Sequence, residues 1–165
     1  MRYKGIIFDL DGVICSTDEY HYMAWKALAD RLGLPFDRKK NDLLRGISRT
    51  ESIEIVLGDS ACAYSMEERQ KLAEEKNALY RKLLSRMTRR ICRRKKGALY
   101  GLKEAWLRLA VGSSSRNTMF ILEKLGLKCF FDGIVDGNRI TRAKPDPEVF
   151  LKAAASLGLP PCECL

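Results

Sequence analysis

The sequence predicts an α/β protein whose core is a parallel sheet, with a helical insertion after the first strand. Three short apolar segments, at 5–8, 107–112 and 134–135, are each followed by polar residues, which is typical of buried parallel strands. Stretches with helical spacing of apolar residues alternate with these segments, and such alternation favours a parallel sheet. The sequence contains no internal repeat.

The first and second strands are separated by a long stretch that carries only helical patterns. We therefore predict a core at 1–15 and 88–165, interrupted by a helical cap at 16–87. The cap is expected to hold helices at 18–32 with Asp18 as N-cap, from about Thr50 with Thr50 as N-cap, and at 66–87.

Two further helices are predicted in the core. The first covers 117–125 and stops at Gly126, a residue that readily adopts the left-handed conformation of a helix end. The second is capped by Asp146, has Pro147 at its first position, and ends at Gly158.

The 165 residues, 46% of them hydrophobic, suffice for one domain with a small insertion and exclude a disordered chain. No stretch approaches the ~18–20 apolar residues of a membrane span, and the N-terminus lacks the pattern of a signal peptide. We therefore expect a cytoplasmic monomer with no membrane partner. Of six cysteines only Cys162 and Cys164 are close together, so we expect reduced thiols and not a zinc site.

The net charge of +9 is concentrated in one segment of the chain. Residues 76–103 contain eleven Lys or Arg and no Asp or Glu, and six of these charges fall within 89–96. Two hypotheses account for this basic block: a short slip of the reading frame, or a surface for RNA or another anionic partner. A basic protein that binds nucleic acid would spread its charge over a face, so nucleic acid is not the expected partner.

One polar cluster follows each predicted strand, either directly or after a turn. The three clusters are Asp9 with Asp11, the serines 113–115, and Lys144 in a Lys-Pro-Asp-Pro sequence. Because ligands bind beyond the carboxyl ends of parallel strands, these clusters are candidates for one site. Two carboxylates can bind Mg²⁺ or attack phosphorus, serines ahead of a helix can bind phosphate, and a lysine can neutralise charge.

These motifs resemble the haloacid dehalogenase superfamily of phosphotransferases, and within it the mutases of sugar phosphates. The resemblance covers nearly the whole chain, and its motifs occur in the order of the family. They lie at 8–14, 19–21, 24–28, 45–49, 76–77, 112–117 and 144–147. The resemblance implies a Rossmannoid core with a helical cap.

The resemblance assigns the chemistry to the core. Asp9 would be the nucleophile that becomes an aspartyl-phosphate, and Asp11 the general acid and base for the sugar hydroxyl. Both would bind Mg²⁺, Asp9 through its carboxylate and Asp11 through its peptide carbonyl. Ser113 and Lys144 would hold the transferring phosphoryl group.

The resemblance assigns binding of the sugar phosphate mainly to the cap. Arg49 would bind the phosphate that is not transferred, and His21 and Lys76 would position the sugar and Asp11. The other implied binding residues are Trp25, Gly46, Ser48, Glu51, Ser114, Ser115, Arg116 and Asn117.

The implied reaction converts β-glucose 1-phosphate to glucose 6-phosphate through a bound bisphosphate, with Mg²⁺ as cofactor. The alternatives are a sugar-phosphate phosphatase and an inactive truncated product. In the family, residue 165 would lead into a further strand that carries an acidic pair for Mg²⁺. We therefore expect an incomplete core in this chain, with one edge of the first strand open and the metal site short of ligands.

Overall fold

The computed structural model describes residues 3–87, 93–142 and 144–165, with the side chains of 93–95 excepted. The chain forms two compact units. The core unit comprises Met1–Ser16 and Met87–Leu165, and the cap unit comprises Thr17–Arg86. None of the described helices is long and apolar enough to cross a membrane.

The sheet of the core unit has three described parallel strands. They are β1 (Gly5–Phe8), β2 (Arg108–Gly112) and β3 (Gly133–Val135), in the order β1-β2-β3. Gly5 pairs with Arg108, and Ala110 pairs with Gly133. The predicted parallel α/β architecture is confirmed. It forms because these apolar segments alternate with helices along the chain, and the helix at Glu148–Ser156 packs against all three strands.

The other edge of β1 is paired with the segment 163–165, which corrects the expectation of an open edge. Lys4 N donates to Glu163 O at 2.8 Å, Leu165 N donates to Gly5 O at 3.0 Å, and Ile7 N donates to Leu165 O at 2.8 Å. These bonds are parallel in sense, with a bridge between Gly5 and Cys164. The backbone polar groups of β1 are therefore satisfied on both sides along much of its length.

The described part of the cap unit contains four helices. They are α1 (Asp18–Arg31), α2 (Arg38–Asp42), α3 (Arg49–Leu57) and α4 (Met66–Leu84), with a 3₁₀ turn at Gly58–Ala63. Their apolar faces share a core that includes Trp25, Leu28, Ile53, Val56 and Leu72. The short helix α2 was missed because five residues carry too little periodicity to be recognised.

Two predicted N-caps in the cap unit are wrong by one or two residues. Thr17 and not Asp18 precedes α1. Helix α3 begins one residue before Thr50, because Ser48 accepts the N–H of Glu51 and the Glu51 carboxylate accepts the N–H of Ser48. This reciprocal capping box satisfies two N–H groups, whereas Thr50 would satisfy one.

The described part of the core unit also contains three helices: α5 (Arg93–Glu104), α6 (Thr118–Leu125) and α7 (Glu148–Ser156). Val149, Ala153 and Leu157 at α7 pack against Ala110 and Val135 of the sheet. Helix α7 begins one residue after Pro147, so the predicted placement of Pro147 inside the helix is wrong. Asp146 still serves the helix start, since its Oδ1 accepts the N–H of Glu148 at 2.9 Å.

The basic block lies partly outside the described residues, because 88–92 are not among them. Its remainder, from Arg93, forms the start of α5. The helix ends in a turn at Trp106, which has φ of 60° and is 93% exposed. Trp106 N donates to Lys103 O, and Leu107 N donates to Leu102 O, which is the Schellman pattern of a helix end.

Candidate active site

The core cluster, which comprises Asp9, Asp11, the serines 113–115 and Lys144, lies at the carboxyl ends of β1 and β2 in the core unit. Asp9 follows β1 directly, and its side chain is 40% exposed. Its Oδ1 accepts the N–H of Leu10 at 2.7 Å and lies 3.0 Å from Lys144 Nζ. The structure therefore brings Asp9 and Lys144 together although 134 residues separate them in the chain.

The ammonium group of Lys144 joins the ends of two strands. Besides the Asp9 carboxylate, Nζ donates to the carbonyl of Gly112 at 3.2 Å, where β2 ends. It also lies 4.7 Å from the centre of the Phe150 ring, a favourable distance for a cation beside an aromatic face. The side chain remains 25% exposed, so its charge is held in place and accessible to an anion.

Asp11 is exposed and belongs to the tight turn that follows Asp9. Gly12 N donates to Cys15 O at 2.7 Å, and the N–H groups of Ile14 and Cys15 both donate to Leu10 O. Gly12 has φ of 80°, a conformation that a side chain would strain. The turn fixes the peptide of Asp11 close to the end of β1.

The serines after β2 form a loop stabilised by its own hydroxyl groups. Ser113 is 2% exposed, and its N–H donates to Val135 O of β3 at 3.0 Å. Its Oγ accepts the N–H of Ser115 at 3.1 Å, and Ser115 Oγ accepts the N–H of Asn117 at 3.3 Å. Asn117 is the N-cap of α6, and Arg116 beside it is exposed.

The Oγ of Ser114 is buried and has no hydrogen-bond partner among the described residues. A buried hydroxyl without a partner is costly, because it has lost its bonds to water. The adjacent loop and the start of α6 are suited to an anion such as a phosphate, whose oxygens could accept from this hydroxyl.

A second loop, 136–138, donates hydrogen bonds to the serine loop. This contact was not predicted from the sequence. Gly137 N donates to Ser115 O at 3.2 Å, and Asn138 Nδ2 donates to Arg116 O at 3.1 Å. The Asp136 carboxylate, 7% exposed, accepts both the N–H and the Nδ2 of Asn138. A Cβ at Gly137 would lie 2.2 Å from Ser114 O, so only glycine fits there. The Asp-Gly-Asn sequence after a strand was the available clue.

The cap cluster, which comprises His21, Trp25, Arg49 and Lys76, lies on α1, α3 and α4 of the cap unit. Lys76 of α4 is 4% exposed, and its Nζ lies 2.9 Å from Nδ1 of His21 on α1. The same ammonium is 4.4 Å from the centre of the Trp25 ring and 5.0 Å from that of Tyr80. The structure therefore brings together His21, Trp25 and Lys76, as three of the predicted binding residues.

Burial and neighbouring cations shift the pKa values of this pair strongly. Burial lowers the pKa of His21 to about 3, and the charges of Lys76 and Arg49 lower it further in the same direction. Burial and Arg49 also lower the pKa of Lys76 to about 7. His21 is therefore neutral near pH 7. When Lys76 is protonated it can only donate, so Nδ1 of His21 accepts and the ring proton resides on Nε2.

Arg49 is the first residue of α3 and follows a loop whose conformation is fixed. Gly46 in that loop has φ of 79°, which favours glycine. Ser48 and Glu51 form the capping box of α3, and these hydrogen bonds lower the pKa of Glu51. The structure thus gives both residues a role in positioning Arg49 at the helix start.

The hard oxygen donors at the end of β1 are the Asp9 carboxylate and the peptide carbonyl of Asp11. Within 3–87, 93–142 and 144–165, no cluster of three His, Cys, Asp or Glu side chains could hold a metal ion. Mg²⁺ binds proteins through one or two carboxylates and completes its shell with water and substrate phosphate. The two donors fit such an ion as part of its shell.

The chain matches a known protein family over nearly its whole length. Residues 3–165 match the family model of the haloacid dehalogenase-like hydrolases. The chain belongs to this family, whose members generally use a divalent metal ion.

Within the family, the chain is similar to β-phosphoglucomutases. It is 43% identical to the β-phosphoglucomutase of Bacillus subtilis over 98% of this chain and 73% of that protein. Its fold matches the crystal structure of β-phosphoglucomutase from Clostridium difficile with a TM-score of 0.90 and 38% identity, over 98% of this chain and 74% of that one. A phosphatase of phosphorylated carbohydrates from Thermotoga maritima is 27% identical, over 96% of this chain and 72% of that protein.

Proposed function

We propose that this chain carries the machinery of a β-phosphoglucomutase, which converts β-glucose 1-phosphate to glucose 6-phosphate through a bound bisphosphate. The observation that carries the proposal is the contact between Asp9 and Lys144 at the strand ends, beside the buried Ser113. A half-exposed carboxylate beside a fixed ammonium suits a nucleophile whose target is a phosphoryl group. The similarity to the Bacillus subtilis enzyme supports the assignment of the substrate.

In the proposed reaction, a carboxylate oxygen of Asp9 attacks the phosphorus of the bisphosphate or substrate. The bond from phosphorus to the sugar oxygen breaks, and that oxygen takes a proton from the Asp11 carboxyl group. In the second half of the reaction, Asp11 accepts a proton from the attacking sugar hydroxyl, whose oxygen takes the phosphoryl group from Asp9. Lys144, Ser113 and Ser114 bind the equatorial oxygens of the transferring group throughout.

A bound Mg²⁺ would neutralise charge on the transferring phosphoryl group. Asp9 and the carbonyl of Asp11 would hold it. Lys144 would provide positive charge between Asp9 and the end of β2, so that the phosphoryl group is bound by groups of this chain as well.

Binding of the sugar phosphate is proposed for the cap residues and the exposed part of the serine loop. Arg49 offers a planar group with several donors, suited to the phosphate that is not transferred. Neutral His21 offers an Nε2–H donor for a sugar hydroxyl, and Trp25 a flat apolar face. Arg116 and Asn117 would add donors from the core.

The proposal also places the protein in the cytoplasm as a monomer. The described cysteines are all free thiols, which fits a reducing compartment.

The alternative function, hydrolysis of a sugar phosphate, is favoured by the similarity to the Thermotoga maritima phosphatase. Both functions use the same nucleophile and differ in whether a sugar hydroxyl or water receives the phosphoryl group.

The test supplies β-glucose 1-phosphate, a trace of the bisphosphate and Mg²⁺, and follows glucose 6-phosphate and inorganic phosphate in parallel. It is run on the 165-residue chain and on a chimera to which the Bacillus subtilis relative contributes the part of its length that this chain does not match. Isomerisation that Asp9→Asn abolishes is the expected result. Release of inorganic phosphate without isomerisation would show a phosphatase instead.

A further inference from the structure

Glu148, the first residue of α7, is a buried carboxylate that belongs to none of the motifs. It is 8% exposed, and its carboxylate accepts hydrogen bonds from three groups of the preceding loop. These are the N–H of Thr141 at 3.0 Å, the hydroxyl of Thr141 at 3.0 Å, and the N–H of Arg142 at 2.7 Å. On its own helix it also pairs with Lys152 Nζ at 2.5 Å.

These bonds hold the backbone at 141 and 142, shortly before Lys144 in the chain. Thr141 and Arg142 lie three and two residues before it in the chain, so the Glu148 carboxylate holds the backbone a short distance before Lys144. On the other side, Asp146 Oδ1 accepts the N–H of Glu148 at 2.9 Å. The backbone is thus tied to the start of α7 both before and after Lys144.

Fixing this backbone matters because Lys144 makes its contacts at the end of a long, flexible side chain. Its Nζ must reach both Asp9 Oδ1 and Gly112 O, which belong to different strands. A lysine side chain loses rotamer freedom when it is held in such a geometry, and a displaced backbone would put one of the two acceptors out of reach.

We propose that Glu148 is a positioning residue for Lys144, holding the 141–142 segment so that the ammonium group lies against Asp9 and the transferring phosphoryl group. The part concerning the phosphoryl group rests on the proposed function. The part concerning the position of Lys144 is independent of it.

The carboxylate of Glu148 is ionised at neutral pH. The Lys152 ammonium and the N–H of Arg142 hold the pKa of Glu148 down to about 2, although burial opposes them. The carboxylate therefore accepts from all its donors across the neutral range, and the anchor is not released by a change of pH near neutrality.

The experiment compares Glu148→Gln, which weakens acceptance at residues 141 and 142, with the matched control Lys152→Met. The control removes the ion pair to the same carboxylate and the hydrogen bond from Lys152 Nζ to Arg139 O at 2.7 Å, but it leaves the donors at 141 and 142 in place. Lysines are ¹³C-methylated, the Lys144 resonance is assigned by loss in Lys144→Arg, and its shift on Asp9→Asn is measured in each background. Affinity for inorganic phosphate and thermal unfolding are measured on the same samples.

In the wild type and in Lys152→Met, we expect the Lys144 resonance to respond to Asp9→Asn. In Glu148→Gln we expect that response to be lost and phosphate affinity to fall about tenfold, the effect of one charge-assisted hydrogen bond. Thr141→Val, which removes only the hydroxyl donor, should change the response in the same direction but less, and it serves if Glu148→Gln does not fold.

An unchanged Lys144 response in Glu148→Gln, or equal losses in Glu148→Gln and Lys152→Met, would overturn the positioning role. Lys144→Ala separates this outcome from failure of the proposed function. If that variant binds phosphate as well as the wild type, Lys144 does not hold the phosphoryl group, while the resonance still decides what Glu148 does.

Discussion

The core cluster and the cap cluster differ in what surrounds the ammonium group of their buried or half-buried lysine. In the core unit, Lys144 lies against a carboxylate and a carbonyl, so its charge is compensated in the protein itself. In the cap unit, Lys76 lies among rings and a neutral histidine, and the neighbouring charge that shifts its pKa belongs to Arg49, another cation. The charge of Lys144 is thus balanced by a neighbouring carboxylate, whereas the neighbour that shifts the pKa of Lys76 carries a charge of the same sign.

This difference has an energetic consequence. A compensated ammonium adds little cost to the folded core, whereas burial of Lys76 near another cation destabilises the cap unit. Substitutions in the core cluster should therefore reduce the rate of phosphoryl transfer. Substitutions in the cap cluster should change the affinity for the sugar phosphate and the stability of the fold. The following predictions test that division, beginning with the largest effect.

Asp9→Asn should abolish the phosphoenzyme, because an amide oxygen does not replace the carboxylate as nucleophile. Asp11→Asn should still form it but turn over ~10²–10⁴ times more slowly, as is typical when a general acid and base is lost. Trapping of labelled phosphoenzyme, with turnover measured alongside, distinguishes the two. Labelled phosphoenzyme on the Asp9→Asn protein would contradict the role of Asp9.

Arg49→Ala should weaken binding of the glucose bisphosphate about ten- to hundredfold, since it removes charge-assisted hydrogen bonds to one phosphate. Acetyl phosphate has no second phosphate, so its reaction with Asp9 should change little. Initial rates of phosphoenzyme formation against the concentration of each donor provide the measurement. Equal losses for both donors would place Arg49 outside the binding of the second phosphate.

Lys76→Met should raise the free energy of unfolding at pH 6 by about 1–3 kcal/mol, because an apolar side chain replaces a buried cation. The matched control is Lys82→Met on an exposed position of the same helix, which should change it by less than about 0.5 kcal/mol. Urea unfolding monitored by fluorescence gives both values.

The pH dependence sharpens this prediction. The pKa of Lys76 is about 7 in the folded protein and 10.5 ordinarily, so between these values the unfolded chain binds more protons. Wild-type stability should therefore gain a contribution as pH rises from 7 toward 10.5, and Lys76→Met should lack that gain. A parallel rise in the variant would show that Lys76 is not the group responsible.

Trp106→Gly should have the smallest effect, stabilising the protein by about 1 kcal/mol, because glycine adopts a positive φ without steric cost. Trp106→Ala removes the exposed ring but keeps Cβ, so it should leave stability nearly unchanged. Neither substitution should alter phosphate binding, since the turn belongs to neither the core cluster nor the cap cluster. Guanidinium unfolding and phosphate titration check both statements.

The parallel sheet and the residues at its strand ends could be predicted because they depend on local pattern and one general rule. Apolar segments ending in Asp9 and Ser113 mark buried strands, and parallel strands place their carboxyl ends at one edge. The supports behind these residues could not be predicted in the same way. Asn138 and Glu148 act through bonds to backbone groups, which depend on loop conformation and leave no periodicity in the sequence.

The helix starts show the same limit on a smaller scale. Ser48 and Thr50 are both suitable N-caps, and the choice is made by Glu51, which completes a capping box only with Ser48. The burial of Lys76 was equally hidden, since a lysine on a highly charged helix is usually exposed. Its position depends on Trp25 and Tyr80, which belong to the tertiary packing of α1 against α4.

The pairing of Gly5 with Arg108 also governs the order in which a nascent chain can fold. Strand β1 leaves the ribosome early but finds its neighbour β2 only after about a hundred further residues have been made, and closing so long a loop is entropically costly. Thr17–Arg86 forms a compact unit of its own. Folding of this unit during synthesis would replace much of the open loop by a structured segment, which lowers the entropic cost of pairing β1 with β2.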